Sequence, residues 1–539
     1  LRGDAALHVD LAALRRSVIP IGLHTFGERL RGADLGDYLA LVARYDRTEA
    51  PALPRLLAEA RGLDYDALLA AESPQLADLN ADAREIVGRW LDGDALESGT
   101  PVADYLGRVR SWVEATDELG AVVRALAGRF VIPNLSGDPV RSPETYPTGR
   151  NAYQFDPTRI PTPSALARGR AIAQESLRQY AAVHGNYPSA VGVVLWGFET
   201  CKTYGETLGQ ILGYLGVRLE QGEGYFIQPE PIPLEELGRP RVDVVVNICG
   251  FFRDLFPNQL RMLDQAFRRV AALDEGPDWN YVRAHADAIA RRGGDETVAA
   301  GRVFGPPPGE YGNRLSTMVE AGSWQDEGEL AEMFLERTQY LYGENRHGVA
   351  APEQLARCLG QVDLVTQVRD SHEYEVTDLD HYYEFFGGMA RAAEEARGGV
   401  APTVLIADTT AERIAVRPVA EAVRRGVVTR LLNPQWIDGL LAHDFHGAQK
   451  ISDRVEYLIG LDATTRSVGT GAWSDVAQRY IFDEEMRRRL LENNPYAAAE
   501  VAQKLGEALE RGYWEATEEE ERQLKEAYLE IEGWVGGHA

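Results

Sequence analysis

Two loops concentrate charged side chains directly after apolar, β-branched runs of the chain. The runs are residues 191–196 and 242–249, and the loops are residues 197–206 and 250–258. The loops carry five charged residues of interest: Glu199, Lys202, Glu206, Arg253 and Asp254. Runs of this kind are typical of strands buried on both faces of a parallel sheet, and such sheets bind ligands at the carboxyl ends of their strands. These loops are therefore the first candidates for a functional site.

A second candidate is the acidic segment at residues 370–384, where His372 and His381 lie among six carboxylates. Carboxylate oxygen and imidazole nitrogen are donors that divalent ions accept, so the segment could bind a metal. If Thr377 caps a helix, Asp378 and His381 lie at positions i and i+3 on one helix face. The alternative is a capping box between Thr377 and Asp380, on a helix whose other acids face solvent.

A third candidate lies at residues 22–28, where His24 and Glu28 are four residues apart. The two side chains would face one another on a helical turn, and the pair would suit proton removal or cation binding. The alternative is a structural turn in which a local carboxylate satisfies the histidine.

The motifs of the commonest nucleotide-binding and hydrolytic sites are absent. Lys202 and Thr203 follow a glycine after a predicted strand, as in a phosphate-binding loop, but the spacing is one residue short and Cys201 replaces the second glycine. The sequence has no complete Gly-x-Gly-x-x-Gly, Gly-x-Ser-x-Gly or His-Glu-x-x-His motif. We therefore do not expect this chain to bind ATP through a phosphate loop of its own.

Periodicity separates helical regions from a central α/β region. Apolar residues at helical spacing dominate residues 1–130, and the two buried runs each precede a loop and a helical pattern, which predicts two parallel βα units. The Pro- and Gly-rich stretch at 133–163, with Arg150 among its charged residues, is predicted to be an ordered functional loop. A further strand is predicted at 403–407. We predict a multidomain α/β protein with large helical portions, in which parallel βα units are joined to helical N- and C-terminal regions, with domains at residues 1–130, 131–275, 276–400 and 401–539.

Composition indicates a large globular protein with a strong negative charge. A chain of 539 residues with 45% hydrophobic content can bury a large core, and its formal net charge of −27 disfavours nucleic acid and anionic membranes as partners. Three scattered cysteines are too few for a disulfide framework or a thiolate metal site. No apolar run reaches the length of a spanning helix. These features predict a cytoplasmic protein, or a protein of the plastid stroma if the source is a photosynthetic eukaryote.

Several collinear motifs stand out along the chain. They are Leu-Trp-Gly-Phe-Glu-Thr-Cys-Lys-Thr-Tyr-Gly-Glu at 195–206, Asn-Ile-Cys-Gly-Phe-Phe-Arg-Asp-Leu-Phe at 247–256, Gly-Asp-Pro at 137–139 with Pro-Thr-Gly-Arg-Asn at 147–151, Asp-Glu at 274–275 with Asn-Tyr-Val-Arg at 280–283, and Leu-Asn-Pro-Gln-Trp at 432–436. Together these motifs resemble the large H subunit of magnesium chelatase and the related large subunit of aerobic cobaltochelatase. The similarity runs from about residue 21 to the C-terminal helices, and the two central motifs resemble the magnesium branch more closely.

The resemblance implies ATP-dependent insertion of a divalent metal into a tetrapyrrole, with Mg²⁺ entering protoporphyrin IX in chlorophyll or bacteriochlorophyll biosynthesis. It implies that this chain holds the porphyrin, while a separate AAA+ ATPase subunit and a middle subunit supply ATP hydrolysis. One alternative is a cobaltochelatase, which inserts Co²⁺ into a corrinoid precursor of cobalamin. The other is a non-catalytic scaffold that binds a tetrapyrrole.

Metal insertion also implies roles for the candidate residues. Two pyrrole N–H protons must leave as the ion enters, so the site needs carboxylate or imidazole bases beside the macrocycle. Lys202 or Arg253 would meet a propionate, and Tyr383 would pack on the macrocycle. The catalytic candidates are Asp378, His381 and Glu206. The remaining substrate-binding candidates are Trp196, Glu199, Asp254 and Arg150, and the metal candidates are His24, Glu28 and His372.

Members of this family are usually more than twice as long as this chain. A His- and Glu-bearing motif associated with their active-site cavity lies upstream of the part matched here. The resemblance therefore implies the C-terminal half of a larger or split protein, or a shortened relative. In either case we expect the residues named above to be secondary contributors to the site.

Overall fold

The computed structural model describes residues 24–47, 49–71, 73–94, 100–153, 157, 160–221, 227–291 and 299–538. The chain divides into two compact units. Unit 1 comprises residues 1–155 and 411–413, and unit 2 comprises residues 156–410 and 414–539.

Unit 1 is mainly helical, as the sequence predicts for its first 130 residues. A parallel pair of short strands, β1 (Pro133–Leu135) and β2 (Asn151–Tyr153), follows its helices. Tyr38 is buried in the core and donates its hydroxyl to the Pro139 carbonyl at 2.8 Å. The Pro- and Gly-rich stretch is thereby attached to the helical core. The helices of unit 1 are Gly32–Val42, Leu53–Ala60, Tyr65–Ala70, Gln75–Leu91, Thr100–Glu114 and Glu118–Leu126, with a 3₁₀ turn at Pro143–Thr145.

The strands of unit 2 are β3 (Ala190–Leu195), β4 (Val217–Gln221), β5 (Ile227–Pro231), β6 (Asp243–Ile248), β7 (Val303–Gly305), β8 (Tyr340–Gly343), β9 (Arg346–Ala350), β10 (Val362–Arg369), β11 (Thr403–Asp408) and β12 (Ala415–Pro418). Eight of them form a mixed sheet in the order β12-β11-β10-β3-β6-β7-β8-β9. The five central strands, from β11 to β7, are parallel to one another, and the pairs β12-β11, β7-β8 and β8-β9 are antiparallel. A separate antiparallel hairpin joins β4 to β5.

The two predicted βα units are confirmed. Every residue of β3 and β6 is buried, and the strands pair directly from Ala190 opposite Asp243 to Leu195 opposite Ile248. Each strand leads into a helix at its carboxyl end, Gly197–Thr203 after β3 and Gly250–Leu255 after β6. The parallel arrangement therefore brings the two charged loops to one edge of the sheet.

Helices account for most of the rest of unit 2. Helix Tyr382–Gly387 has π geometry and continues directly into Gly388–Ala396. Other π segments are Val427–Leu431 and Gln478–Phe482. The α-helices of unit 2 are Pro163–His184, Gly197–Thr203, Glu206–Leu215, Leu234–Leu237, Gly250–Leu255, Pro257–Ala271, Tyr281–Arg291, Leu315–Ala321, Glu327–Thr338, Pro352–Leu359, Gly388–Ala396, Val419–Gly426, Pro434–Leu441, Asp444–Thr465, Thr470–Ala477, Glu484–Asn493, Pro495–Glu510 and Glu518–His538.

The predicted domain limits at residues 275 and 400 do not coincide with the two compact units. The eight-stranded sheet takes β3 and β6 from the second predicted region, β7 to β10 from the third, and β11 and β12 from the fourth. Since neighbouring strands share hydrogen bonds and a core, these regions form one unit. Across the described ranges, every helix is too short or too polar to cross a membrane. The three cysteines, at positions 201, 249 and 358, are free.

Candidate functional site

The carboxyl ends of β10, β3, β6 and β7 lie side by side and present four consecutive connections at one edge of the sheet. The connection after β10 is the acidic segment at 370–380, and the one after β7 is the loop at 306–314. The two charged loops predicted from the sequence lie between them. This edge holds most of the predicted site residues of unit 2.

A buried charge network joins the loop after β3 to the loop after β10. Lys202 Nζ lies 2.8 Å from Asp370 Oδ2 and donates to the Tyr374 hydroxyl at 2.8 Å, and that hydroxyl in turn donates to Asp370. Glu199 is buried nearby and accepts a hydrogen bond from the Thr203 hydroxyl at 2.9 Å. Burial, and then repulsion from Asp370, raises the pKa of Glu199 to about 8. Glu199 therefore holds a proton at neutral pH.

Glu206 begins the helix Glu206–Leu215 and is also buried. Arg168 donates from Nε to the Glu206 carboxylate at 2.7 Å and from its terminal nitrogen to the Thr409 carbonyl at 2.9 Å. This arginine neutralises Glu206 and ties the loop after β3 to the end of β11. The predicted catalytic role of Glu206 stays a prediction.

Arg253 and Asp254 hold the loop after β7 against the loop after β6. The Arg253 guanidinium lies 2.7 Å from the Asp254 carboxylate and also donates to the carbonyls of Pro307 and Glu310, at 2.8 and 3.0 Å. Its side chain is 9% exposed. Because these contacts use Nε and both terminal nitrogens of the guanidinium, the donors of Arg253 are engaged within the protein.

A cluster of possible metal ligands lies where the acidic segment enters the π helix. One donor atom from each of Asp380, His381 and Glu384 lies within 4.8 Å of the others. The Asp380 carboxylate is 2.5 Å from His381 Nδ1. Although burial alone would lower it, the hydrogen bond and charge of Asp380 raise the pKa of His381 above its usual value. An ionised carboxylate can only accept, so in the neutral form of His381 the proton is on Nδ1 and Nε2 keeps a lone pair.

The third member of this cluster, Glu384, is buried, and its Oε1 accepts from the Asn313 backbone N–H at 2.9 Å. Burial raises the pKa of Glu384, against the opposing charge of His381. The side chain of His381 is 53% exposed, so the cluster can be reached from solvent. A carboxylate, an imidazole and a second carboxyl group are suited to hold a divalent ion or to accept protons.

Trp196 lies beside this cluster. Its ring packs edge-on against His381, with centroids 6.2 Å apart, and against Tyr382 at 4.9 Å. Trp196 is buried, and its indole N–H has no acceptor among the described residues. A buried donor without an acceptor costs about 1–3 kcal/mol, a cost that a bound ligand with an acceptor would remove.

The prediction that Thr377 caps a helix carrying Asp378 and His381 is wrong. The helix begins after residue 380, and the preceding residues form turns. The buried Asp378 carboxylate is 3.0 Å from Arg430 Nε and 3.2 Å from Arg454 Nε, and it accepts the backbone N–H of Glu375 at 2.8 Å. These groups engage both oxygens of the Asp378 carboxylate, which indicates a structural role. Its predicted catalytic role stays a prediction.

Tyr383 and His372 also have partners within the protein. Tyr383 is buried, donates its hydroxyl to Glu456 at 2.8 Å and packs against the backbone at Gly460. It therefore has no exposed face on which a macrocycle could pack. The imidazole of His372 lies 3.0 Å from the Thr410 carbonyl through Nε2 and is not a member of the possible metal cluster.

The predicted pairing of His24 with Glu28 is wrong. A turn forms at this point, closed by a hydrogen bond from the Glu28 N–H to the Thr25 carbonyl at 3.0 Å, and Glu28 is exposed. His24 Nε2 instead lies 3.2 Å from the Glu118 carboxylate, a partner 94 residues away. Arg150 lies in unit 1, immediately before β2. Its predicted contact with a substrate stays a prediction.

Three residues of this edge are not among the site residues predicted from the sequence: Asp370, Asp380 and Glu384. The segment that contains them was singled out, because carboxylates and histidines alternate there. What was missing was the helix start after Asp380, which brings Asp380, His381 and Glu384 together on the first turn. The i, i+3 spacing of His381 and Glu384 was the available signal.

Comparison with known proteins finds similarity to subunits of magnesium chelatase and cobaltochelatase. A family model described as CobN/Magnesium Chelatase matches residues 4–521. The magnesium-chelatase subunit ChlH of Oryza sativa is 39% identical over 440 residues, which cover 80% of this chain and 32% of that protein. The aerobic cobaltochelatase subunit CobN of Sinorhizobium sp. is 37% identical over 413 residues, covering 74% and 32%.

A solved structure, the catalytic subunit of cobaltochelatase from Mycobacterium tuberculosis, matches with a TM-score of 0.89 at 32% identity. The match covers 99% of this chain and 47% of that chain. The chain thus spans about a third to a half of the length of these relatives.

Proposed function

We propose, since this chain belongs to the CobN/magnesium chelatase family, that it forms part of the large subunit of an ATP-dependent chelatase. The reaction we propose is insertion of Mg²⁺ into protoporphyrin IX, with the porphyrin held by this subunit. The partners in this proposal are an AAA+ ATPase subunit and a middle subunit, as the family resemblance implies. The metal and the porphyrin are both substrates.

The observation that carries this proposal is the Asp380–His381–Glu384 cluster at the carboxyl edge of the parallel strands. It combines oxygen and nitrogen donors within 4.8 Å, and its histidine is half exposed. Open parallel sheets bind ligands at this edge. The cluster therefore supports a site that binds a divalent ion before the ion enters the macrocycle.

The same residues can move protons. Nε2 of His381 is available to accept a pyrrole proton, and Asp380 stabilises the imidazolium that results through the 2.5 Å hydrogen bond to Nδ1. Burial raises the pKa of Glu384 and so favours its protonated form, which suits it to accept the other pyrrole proton. Two acceptors match the two protons that a porphyrin loses when a divalent ion enters it.

The donor atoms of the cluster favour Mg²⁺ over Co²⁺ only slightly. Two of the three donors are carboxyl oxygens, which suit Mg²⁺, and the imidazole is a donor that Co²⁺ accepts. Relatives named for each metal have similar identity to this chain, 39% and 37%. Cobaltochelatase activity toward a corrinoid precursor is therefore the second candidate function.

Reconstituted metal insertion tests the proposal. The chain, completed with any upstream half of its subunit, is mixed with the ATPase and middle subunits, ATP and protoporphyrin IX or a corrinoid precursor. Metal insertion is followed by absorbance with Mg²⁺ or Co²⁺. We expect insertion of Mg²⁺, and a roughly 100-fold slower rate for His381→Ala, which is the range for one lost general base.

A matched control is His347→Ala, because His347 is an exposed histidine on the edge strand β9. This variant is expected to insert metal at the normal rate. A normal rate for His381→Ala would remove the cluster from the reaction. Porphyrin binding without insertion of either metal would instead favour the non-catalytic scaffold.

A further inference from the structure

A stacked aromatic pair, one ring exposed and the other half-buried, lies at the carboxyl edge of the parallel strands. Phe198, in the first turn after β3, is 64% exposed, and its ring stacks on Phe251, in the first turn after β6. The two ring centroids are 4.4 Å apart, and the ring planes are 13° from parallel. Stacking is open on the outer face of Phe198, since more than half of its side chain is exposed.

Two glycines in the backbone beneath this pair allow the close contacts around it. A Cβ at Gly197 would lie 2.0 Å from Cδ1 of Phe251, so the Phe251 ring can reach Phe198 only because position 197 is glycine. The N–H of Gly250 donates to the Tyr311 carbonyl at 3.1 Å, and a Cβ at Gly250 would lie 2.7 Å from Cα of Tyr311. Glycine at position 250 therefore allows the loop after β7 to close onto the loop after β6.

This contact brings a second exposed aromatic ring, Tyr311, beside the half-buried Phe251. Tyr311 is 58% exposed. We call Phe198, Phe251 and Tyr311 together the aromatic platform. Large aromatic side chains are usually buried, and an exposed group of them at a ligand-binding edge marks an interaction site.

The aromatic platform borders the metal-ligand cluster at two points. On one side, Trp196 lies two residues before Phe198 and packs its ring against His381 at 6.2 Å. On the other, Gly312 follows Tyr311, and a Cβ at Gly312 would lie 2.8 Å from Glu384 Oε1. The segments that carry Phe198 and Tyr311 thus also contact His381 and Glu384, which puts the aromatic platform on the same side of the sheet edge as the cluster.

The neighbouring cations, Lys202 and Arg253, both have partners within the protein. Lys202 is paired with Asp370 and Tyr374, and Arg253 is bound to Asp254 and to two backbone carbonyls. Using either for a propionate would break buried contacts. The flat face of a ligand is thus the feature that this edge is better built to recognise.

We infer that the aromatic platform stacks against the face of a flat, conjugated tetrapyrrole and holds it beside the metal-ligand cluster. The inference rests on the proposed function, and it adds the residues that bind the ring. Offset stacking between aromatic rings is favourable beyond the apolar area it buries, and a macrocycle offers a larger face than a single side chain. Phe198 is the central contact, because its outer face is free.

Porphyrin binding to the full chain, completed as above, tests this inference by quenching of porphyrin fluorescence. We expect Phe198→Ala to weaken binding by roughly 10-fold or more, because the stacking face is lost. Phe198→Trp keeps an aromatic face and should bind within about 3-fold of the unchanged protein. Since Phe198 is largely exposed, both variants should keep the thermal midpoint.

Trp279→Ala is the matched control. Trp279 is 51% exposed, and its carbonyl accepts from Arg241 at the amino end of β6, which is the opposite edge of the same sheet. This variant is expected to bind porphyrin normally. Equal porphyrin affinity of Phe198→Ala and the unchanged protein overturns the aromatic platform and leaves the proposed function standing. Failure of the unchanged protein to bind any porphyrin overturns both.

Discussion

Glu199 and Asp370 place two carboxyl groups in one buried network, and Lys202 pairs with Asp370. Glu206 close by is paired with Arg168. Asp370 and Glu206 thus each have a cation as partner, whereas Glu199 accepts a hydrogen bond from the Thr203 hydroxyl. Burial therefore raises the pKa of Glu199 to about 8. At the residue scale, Glu199 is a carboxyl group that carries a proton at neutral pH.

This raised pKa predicts a pH-dependent stability. Between a pKa of about 4.5 in the unfolded chain and about 8 in the folded chain, the folded state binds a proton that the unfolded state has released. The stability that Glu199 contributes is thus complete below the lower pKa and is lost as pH rises through the upper one. The glutamine of Glu199→Gln cannot titrate. We therefore expect the thermal midpoint of this variant, relative to that of the unchanged protein, to rise by roughly 2 °C or more from pH 5.5 to pH 8.5.

Calorimetry at several pH values measures this difference. Glu235→Gln, which removes an exposed carboxylate, is the control and should show the same midpoint difference at every pH. Other buried acids such as Glu456, whose pKa burial raises to about 7, titrate in both proteins and cancel. A midpoint difference for Glu199→Gln that does not change with pH would contradict the neutral state of Glu199.

At the scale of elements, the short helices after β3 and β6 depend on a close approach between them. The Phe251 ring occupies the space where a side chain at position 197 would begin, 2.0 Å from that Cβ position. Gly197→Ala must therefore push Phe251 aside, and we expect a loss of about 1–3 kcal/mol in the free energy of unfolding, the usual range for overpacking. Porphyrin binding should weaken as well, because the aromatic platform is displaced.

Denaturant unfolding of Gly197→Ala measures this cost. The control is Gly276→Ala, since a Cβ at Gly276 meets nothing within 4 Å. That control should change the free energy of unfolding by no more than about 0.5 kcal/mol. Equal stability of the two variants would show that the contact between the helices is loose enough to absorb an extra methyl group.

The strands that could be predicted are those with a simple apolar pattern. The valine-rich runs of β3 and β6 and the apolar run of β11 indicated strands, and all three exist. Strand β10 lies between β3 and β11 but was not predicted, because Thr366 and Gln367 interrupt its apolar run. Thr366 is nevertheless buried, and its hydroxyl accepts from the Gln210 amide at 2.8 Å, a partner 156 residues away. The sequence pattern around Thr366 does not indicate a partner so far away in the chain.

The same limit applies to the candidate site. The loops of the site could be predicted, because charge next to buried strands is visible in the sequence. The use of each side chain could not, since Asp378 depends on arginines 52 and 76 residues away and His24 depends on Glu118. Ion pairs between distant parts of the chain decide which charges are structural and which remain for a ligand.

At the scale of the whole molecule, ATP hydrolysis must come from another chain if the proposed function holds. Residues Gly197–Thr203 form a helix immediately after Trp196, and the Thr200 N–H is bonded to the Trp196 carbonyl at 3.0 Å. A phosphate-binding loop instead needs several free backbone amides and a free lysine ahead of its helix. Here Lys202 is held by Asp370 and Tyr374.

We therefore predict that the purified chain does not release phosphate from ATP above background, and that hydrolysis appears only when the ATPase subunit is added. Phosphate release measured with the chain alone, with the ATPase subunit alone and with both would test this. Lys202→Ala should leave the ATPase rate of the mixture unchanged and lower the thermal midpoint of the chain, because Asp370 then stays buried without its cation. An ATPase rate of the chain alone that Lys202→Ala abolishes would show that this helix binds nucleotide after all.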